Sequence, residues 1–210
     1  MSRRDVAIKL LSEVEKLFPE ASTELANWKD DFQFLVAVIL SAQTTDMQVN
    51  KVTPKLFRKY PSARRLASAN IKDLEYTLGG INYFRTKSKN IKKMAKILVE
   101  QYEGQPPKSL KKLVELPGVG YKTANVFLNE RYRANEGIAV DTHVLRVARA
   151  YGLTKNIDPT KVAHDLEKLY PKKDWYKVNS VFVLYGRYIL KARKPDMDRV
   201  VLREYLVNGN

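Results

Sequence analysis

The 210-residue sequence contains no cysteine and only two histidines. The absence of cysteine excludes disulfides, thiolate zinc sites, cysteine nucleophiles and cysteine-ligated iron–sulfur clusters. Two histidines are also too few for a histidine-rich metal centre. We therefore expect this protein to bind no metal and no cofactor.

Long hydrophobic runs are missing as well. No stretch is long and apolar enough for a transmembrane helix, and Asp5, Lys9 and Glu13 interrupt the N-terminal segment where a signal peptide would need an apolar core. We expect no membrane association and a cytoplasmic protein that stays with the nucleoid DNA.

Positive charge is abundant, because 38 Lys and Arg face 23 Asp and Glu, for a formal net charge of +15. Such an excess favours polyanionic partners, with nucleic acid ahead of an acidic membrane surface. A generally basic proteome, or adaptation to heat or salt, explains the same charge equally well. Charge alone therefore does not identify the partner.

Helical patterns dominate the chain, and no strand periodicity, repeat or low-complexity linker is present. Residues 31–41 are apolar nearly all round, which predicts a central buried helix. Pro54 predicts a kink or restart within its helix. The predicted helices cover residues 5–18, 31–41, a segment starting at Thr45, two short segments capped by Ser62 and Asn70, 86–103, 109–116, 121–131, a segment after Asp141, 159–170 and 174–191. The sequence predicts an all-α fold.

Two of these helices are joined by Pro117, Gly118, Val119 and Gly120, which predicts a helix–hairpin–helix. Glycines keep side chains away, so backbone N–H groups at a helix N-terminus can approach a phosphate. Such contacts position a protein on DNA without reading its sequence. A plain tight turn is the alternative, and the basic charge favours DNA anchoring by Gly118, Val119 and Gly120.

Lys122 falls in the first turn of the helix after this loop. A cation there opposes the helix dipole, and the same field with some desolvation is expected to depress the pKa of its amine. A neutral amine is a competent nucleophile. The alternative is a solvated surface lysine, and Lys122 by itself does not decide between the two.

Several separated motifs resemble the endonuclease III family, the helix–hairpin–helix glycosylases with a Gly/Pro-rich loop that ends in aspartate. The main signature lies in residues 116–125 (LPGVGYKTAN) and 138–143 (IAVDTH). Residues 40–46, 186–188 and 192–195 match further family segments. Because the motifs occur in the family's order, the resemblance covers essentially the whole chain.

The resemblance implies a DNA-glycosylase fold of two helical domains with the active-site cleft between them. A six-helix domain would span residues 23–135, with the hairpin at about 110–131. Residues 1–22 and 136–210 would together form the second domain.

The resemblance also implies the catalytic residues. Lys122 matches the lysine that attacks the deoxyribose C1′, which implies a bifunctional enzyme. Asp141 matches the aspartate that stabilises positive charge at the sugar and helps deprotonate the amine, although it is also a plausible N-cap. Asp46 and His143 match polar positions that support the geometry of the site.

Base flipping leaves a gap in the duplex that a protein side chain must fill. By resemblance, Gln43 enters the vacated space and Tyr83 is the second wedge, while Phe84 is expected in the core. Phosphate contacts are expected from the C-terminal basic residues, and Lys87, Lys89, Lys92 and Lys93 are weaker candidates. The C-terminal basic residues are Lys191, Arg193 and Lys194.

Most members of the family carry four C-terminal cysteines that hold a [4Fe–4S] cluster. In this sequence the family spacing falls on Leu190, Met197, Val200 and Leu206, all apolar. We hypothesise that these four side chains form a small hydrophobic cluster in place of the metal.

The resemblance implies a base-excision-repair glycosylase with AP-lyase activity on oxidised pyrimidines, such as thymine glycol, and on abasic sites. Its partner would be double-stranded DNA with damaged bases or abasic sites, bound by a monomer. Two alternatives remain open: a non-catalytic helix–hairpin–helix DNA-binding module, and a related glycosylase of different base specificity. The pair of Lys122 and Asp141 favours an enzyme, since a DNA anchor needs neither.

Overall fold

The computed structural model describes residues 1–207, and every regular element in that range is helical. The all-α prediction is confirmed. The described chain divides into two compact units: Glu24–Arg131, and Met1–Thr23 together with the chain from Tyr132 onward. None of the helices in residues 1–207 combines the length and apolar character needed to span a bilayer.

The middle unit, Glu24–Arg131, is built around one buried helix. Its helices are α2 (Asp31–Ser41), α3 (Asp46–Lys59), α4 (Ala63–Ala67), α5 (Ile71–Thr77), α6 (Phe84–Gln101), α7 (Leu110–Leu113) and α8 (Tyr121–Tyr132). All residues of α2 except the first and last are buried, as its apolar pattern predicts. Arg131 Nε donates to the Asp31 carboxylate at 2.6 Å, which ties the end of α8 to the start of α2.

Helix α3 runs through Pro54 without the predicted restart. A proline at this position leaves the carbonyl of Asn50, four residues earlier, without its helical donor. The Asn27 side chain supplies the missing donor, with Nδ2 at 3.1 Å from the Asn50 carbonyl oxygen. The helix therefore does not restart at Pro54, because Asn27 from outside the helix supplies the donor that proline lacks.

The second unit contains the helices α1 (Arg3–Leu17), α9 (Thr142–Ala150), α10 (Pro159–Leu169) and α11 (Trp175–Tyr188). Short 3₁₀ turns lie at Lys172–Asp174, Met197–Arg199 and Arg203–Tyr205. The four helices surround one apolar core, in which Phe182 and Tyr185 of α11 are fully buried.

The C-terminal segment, residues 189–207, packs against this core. Leu190 and Val200 are buried within it and Leu206 is partly buried against it, so three members of the expected hydrophobic cluster are confirmed. The expectation was wrong for Met197, which is 42% exposed. A single 3₁₀ turn presents only one side to the core, and here Val200 takes that side.

A pair of buried tyrosines adds polar contacts to the C-terminal segment. The hydroxyls of Tyr151 and Tyr185 lie 2.8 Å apart. The Tyr151 hydroxyl donates to the carbonyl of Val201 at 2.5 Å, and the Val201 N–H donates to the Tyr185 hydroxyl at 3.1 Å. Burial raises the pKa of both tyrosines, so both remain neutral donors. These hydrogen bonds fix the backbone of the C-terminal segment at Val201 to the two tyrosines.

Leu190→Asp should lower the free energy of unfolding by at least about 3 kcal/mol, because it removes a buried apolar side chain and places a carboxylate in the core. Met197→Asp is the matched control and should stay within about 0.5 kcal/mol of wild type, since that side chain is exposed. Urea unfolding monitored by circular dichroism measures both. Equal stability of the two variants would contradict a packing role for the C-terminal segment.

Candidate active site

The hairpin loop follows α7, which ends at Leu113 instead of the predicted Leu116. Ser109 is the N-cap residue of α7, but its side chain makes no capping hydrogen bond. Beyond Leu113 the chain tightens, as the Leu116 N–H donates to the Leu113 carbonyl at 3.0 Å and the Val119 N–H to the Leu116 carbonyl at 3.0 Å. The loop is therefore braced by its own backbone.

The two glycines of this loop serve different purposes. Gly118 has φ of +85°, and a Cβ there would lie 3.1 Å from Cβ of Asn90. A Cβ on Gly120 would meet nothing within 4 Å. Gly118 is thus required by backbone conformation and packing, whereas Gly120 borders open space. Val119 between them is buried at 5% exposure, and its N–H is already bonded within the loop.

Lys122 is the second residue of α8, in the first helical turn as its sequence position predicts, and its side chain is exposed. The buried Asn125 lies one turn later and donates Nδ2 to the Tyr121 carbonyl at 3.0 Å. The first turn of α8 is therefore anchored on its inner side and carries the Lys122 amine on its outer side. The N-terminal end of a helix has a positive electrostatic potential, to which this amine is exposed.

Asp141 caps the N-terminus of α9 in the second unit. Its Oδ1 accepts the N–H groups of His143 and Val144, each at 2.8 Å. Both bonds go to one oxygen, which leaves Oδ2 of this half-buried carboxylate for another role. The cap fixes the orientation of the carboxylate, so the structural role and a catalytic role are compatible.

His143 is held by Arg146, a residue that the sequence reasoning did not identify. Nη2 of Arg146 lies 3.0 Å from Nδ1 of His143 and donates to the Gly186 carbonyl at 2.5 Å, while Nε donates to the Leu190 carbonyl at 2.8 Å. Burial lowers the pKa of His143, which favours the neutral imidazole. The three-residue spacing of the two side chains on one helix is the only sequence signal for this pair.

Gly186 explains why the Gly-Arg-Tyr motif begins with glycine. A Cβ at this position would lie 3.0 Å from both the Cβ and the carbonyl oxygen of His143. Because Gly186 has no Cβ, α11 approaches the first turn of α9 closely and packs directly against the backbone of His143.

Gln43 and Tyr83 are both exposed and both have a left-handed backbone, with φ of 55° and 57°. Tyr83 precedes α6 and is 66% exposed. Asp46 lies half-buried in the first turn of α3. Phe84 is only half-buried, not in the core as expected, with the guanidinium of Arg85 lying 5.2 Å from its ring centre.

The basic candidates differ in exposure. Lys191, Arg193 and Lys194 are exposed on the loop after α11, and Asp196 N–H braces this loop by donating to the Ile189 carbonyl at 2.9 Å. Lys89 and Lys93 are exposed on α6 and Lys92 is half-buried there. Lys87 is 7% exposed, so the expectation that it contacts phosphates was wrong.

The residues present do not fit an iron–sulfur cluster. Leu190, Met197, Val200 and Leu206 offer no thiolate, and the chain contains no cysteine. Within residues 1–207, no three His, Asp or Glu side chains are grouped closely enough to hold a metal ion.

Comparison with known proteins places these features in a family. Residues 36–172 match the profile described as HhH-GPD superfamily base excision DNA repair protein. Endonuclease III of Synechocystis is 41% identical over 194 residues, which cover 92% of this chain and 88% of that protein. Endonuclease III of Rickettsia conorii is 42% identical over 197 residues, covering 94% of this chain and 93% of that protein.

A solved structure of a trapped endonuclease III–DNA covalent intermediate is similar over nearly the whole fold. It superposes with a TM-score of 0.91 at 35% sequence identity, covering 98% of this chain and 96% of that one. The chain therefore belongs to the HhH-GPD superfamily of base excision DNA repair proteins and, within it, to the endonuclease III family.

Proposed function

We propose that this protein is a DNA glycosylase with AP-lyase activity, which removes oxidised pyrimidines such as thymine glycol from duplex DNA and cleaves abasic sites. The observation that carries the proposal is the exposed amine of Lys122 in the first turn of α8, directly after the glycine hairpin. The trapped covalent intermediate of the 35% identical endonuclease III supports a covalent mechanism.

In this proposal the hairpin loop anchors the DNA backbone. The open space beside Gly120 lets a phosphate approach the N-terminal end of α8, where N–H groups and the helix dipole favour an anion. Val119 contributes by holding the loop shape from the core side. Lys191, Arg193 and Lys194 add further phosphate contacts from the second unit.

The Lys122 amine is the proposed nucleophile. Its nitrogen forms a bond to C1′ of the damaged nucleotide while the glycosidic bond breaks, and the base leaves with the bonding electron pair. The amine then loses a proton and the bond from C1′ to the ring oxygen opens, which gives an imine. Removal of a C2′ proton expels the 3′ phosphate and nicks the strand, and water finally releases Lys122.

Asp141 is the proposed electrostatic partner in this reaction. Positive charge develops on the sugar as the base departs, and a fixed carboxylate stabilises it. The cap bonds of Oδ1 hold the carboxylate in place, and Oδ2 accepts the proton that the attacking amine must lose. Asp46 and His143 support the geometry and do not take part in the chemistry.

Gln43 and Tyr83 fill the space that the flipped nucleotide leaves. An amide can hydrogen-bond the orphaned base opposite, and an aromatic ring can stack on its neighbours. We further propose that the protein works as a monomer on chromosomal DNA in the cytoplasm.

A panel of duplexes tests this function directly. The panel contains thymine glycol, dihydrouracil, an abasic site, 8-oxoguanine or a G:T mismatch, each assayed for base release and strand cleavage. We expect cleavage of the abasic duplex and of both pyrimidine lesions. Binding without any cleavage would favour the non-catalytic module, and a preference for 8-oxoguanine or G:T would favour a related glycosylase of different specificity.

The two hairpin glycines provide a matched test of DNA anchoring. Gly118→Ala should lower the free energy of unfolding by about 2 kcal/mol, because alanine is strained at positive φ. Gly120→Ala should not lower stability, since no atom lies within 4 Å of the added Cβ, but it should weaken duplex affinity several-fold. Fluorescence anisotropy with an abasic-analogue duplex measures affinity. Unchanged affinity of Gly120→Ala would contradict the phosphate contact.

A further inference from the structure

Lys87 is a buried lysine with a complete set of acceptors. The side chain leaves α6 and its Nζ donates to the Leu40 carbonyl at 2.8 Å, the Ala42 carbonyl at 2.5 Å and the Thr44 hydroxyl at 3.1 Å. An ammonium group has three N–H donors, so all three are used. Such a match is what makes burial of a charged group tolerable.

The positions of its three acceptors indicate the structural role of Lys87. The Leu40 and Ala42 carbonyls lie at the C-terminus of α2, where helical carbonyls have no intrahelical donors and the dipole favours a cation. Burial lowers the pKa of Lys87 to about 8, and the ammonium form therefore prevails at neutral pH. The side chain fastens the end of α2 and the loop that follows to the first turn of α6.

Gln43 lies inside the clamped stretch, between Ala42 and Thr44, and is left-handed with φ of 55°. Its carbonyl accepts Nδ2 of Asn82 at 2.5 Å. Asn82 directly precedes Tyr83, the other left-handed and exposed residue. The two loops that carry the exposed side chains are thus joined to each other as well as to α6.

We propose that Lys87 is a positioning residue for gap filling, which together with Asn82 holds the Gln43 and Tyr83 loops as one rigid wedge. The inference rests on the proposed function, in which those two side chains enter the duplex. A rigid wedge loses less conformational entropy on insertion than two mobile loops would. Lys87 acts through the wedge and touches neither substrate nor reacting atoms.

The test compares cleavage of an abasic site in duplex DNA with cleavage of the same site in single-stranded DNA. Only the duplex has an opposite strand and a vacated space to fill. Lys87→Met keeps the length of the side chain and removes its three donors. We expect at least a tenfold loss of kcat/KM on the duplex and less than a twofold change on the single strand. The control Lys96→Met removes one exposed charge from the same helix and should affect both substrates alike.

A double-variant cycle shows whether Lys87 acts through Gln43. The variant that combines Lys87→Met with Gln43→Ala should lose no more kcat/KM on the duplex than the more damaging single variant. Both changes disable the same wedge, so their effects should not multiply. Asn82→Ala alters only an exposed side chain. It should show a smaller loss of kcat/KM, again confined to the duplex. This variant tests the positioning role if Lys87→Met does not fold.

Each outcome has one meaning. Equal losses on duplex and single strand, or losses that multiply with Gln43→Ala, would overturn the positioning role. Wild-type protein that cleaves neither substrate would instead refute the proposed function. Wild-type activity with Lys87→Met behaving like Lys96→Met would refute this inference alone.

Discussion

Replacing Lys122 by arginine should lower cleavage of abasic sites by at least about 1,000-fold, because a guanidinium remains protonated and cannot attack C1′. Arginine keeps the positive charge in the first turn of α8, where the side chain is exposed. Duplex affinity should stay within about threefold of wild type, since the hairpin loop and the C-terminal basic residues that contact phosphates in the proposal are unchanged. Single-turnover kinetics and anisotropy on the same abasic duplex measure the two effects separately.

Lys161→Arg is the matched control for this change. Lys161 is also exposed near the start of its helix, α10, and has no part in the proposed site. We expect wild-type cleavage from this variant. A Lys122→Arg protein that still cleaves at the wild-type rate would show that the nucleophile lies elsewhere.

Asp141→Asn should slow turnover by about 100- to 1,000-fold, which is the usual cost of losing one fixed electrostatic partner in a transition state. Asparagine caps helices as well as aspartate does, so its Oδ1 can still accept the N–H groups of His143 and Val144. The thermal midpoint and duplex affinity should hence change little. Rates on the thymine-glycol duplex measure turnover, and melting curves of the same preparations measure the thermal midpoint.

Asp158→Asn is the control for the capping role alone. Asp158 caps α10 through the Lys161 N–H at 2.9 Å, and the same chemical change there leaves the proposed site untouched. Wild-type turnover is expected. If Asp141→Asn kept the wild-type rate as Asp158→Asn is expected to, Asp141 would be a helix cap and nothing more.

Much of the helical framework is predictable because its causes are local. Asp30, Ser62, Asn70 and Asp158 all cap the helices that follow them, as residues of these types do at helix starts. The apolar stretch of α2 has no continuous polar face, which favours a buried helix. These predictions need no knowledge of which segments meet.

Predictions failed where the answer depends on a distant part of the chain. The continuity of α3 depends on Asn27, which reaches the carbonyl that Pro54 leaves without a donor. Lys87 looks like the other lysines of its helix, and only the position of the α2 carbonyls distinguishes it. The prediction that Met197 is part of a hydrophobic cluster came from the family spacing. That spacing carries no information on which side of a short turn faces the core.

The candidate site was identified by resemblance more than by physical pattern. A lysine at a helix start and an aspartate before a helix each have an ordinary structural explanation, and only the family signature combines Lys122 with Asp141. The structure adds the hydrogen-bond partners of these side chains, which the signature does not give. It assigns Oδ1 of Asp141 to a cap, and it identifies Arg146 as the residue that holds His143.

Borohydride trapping on an abasic duplex, followed by mass spectrometry of the digested adduct, tests the proposed nucleophilic role of Lys122 most directly. Borohydride reduces an imine to a stable amine, so a covalent intermediate becomes a permanent protein–DNA link. We expect a trapped complex whose DNA remnant lies on Lys122, and no trapped complex with Lys122→Arg. A remnant on another lysine, or cleavage of the duplex without any trapped species, would contradict that role.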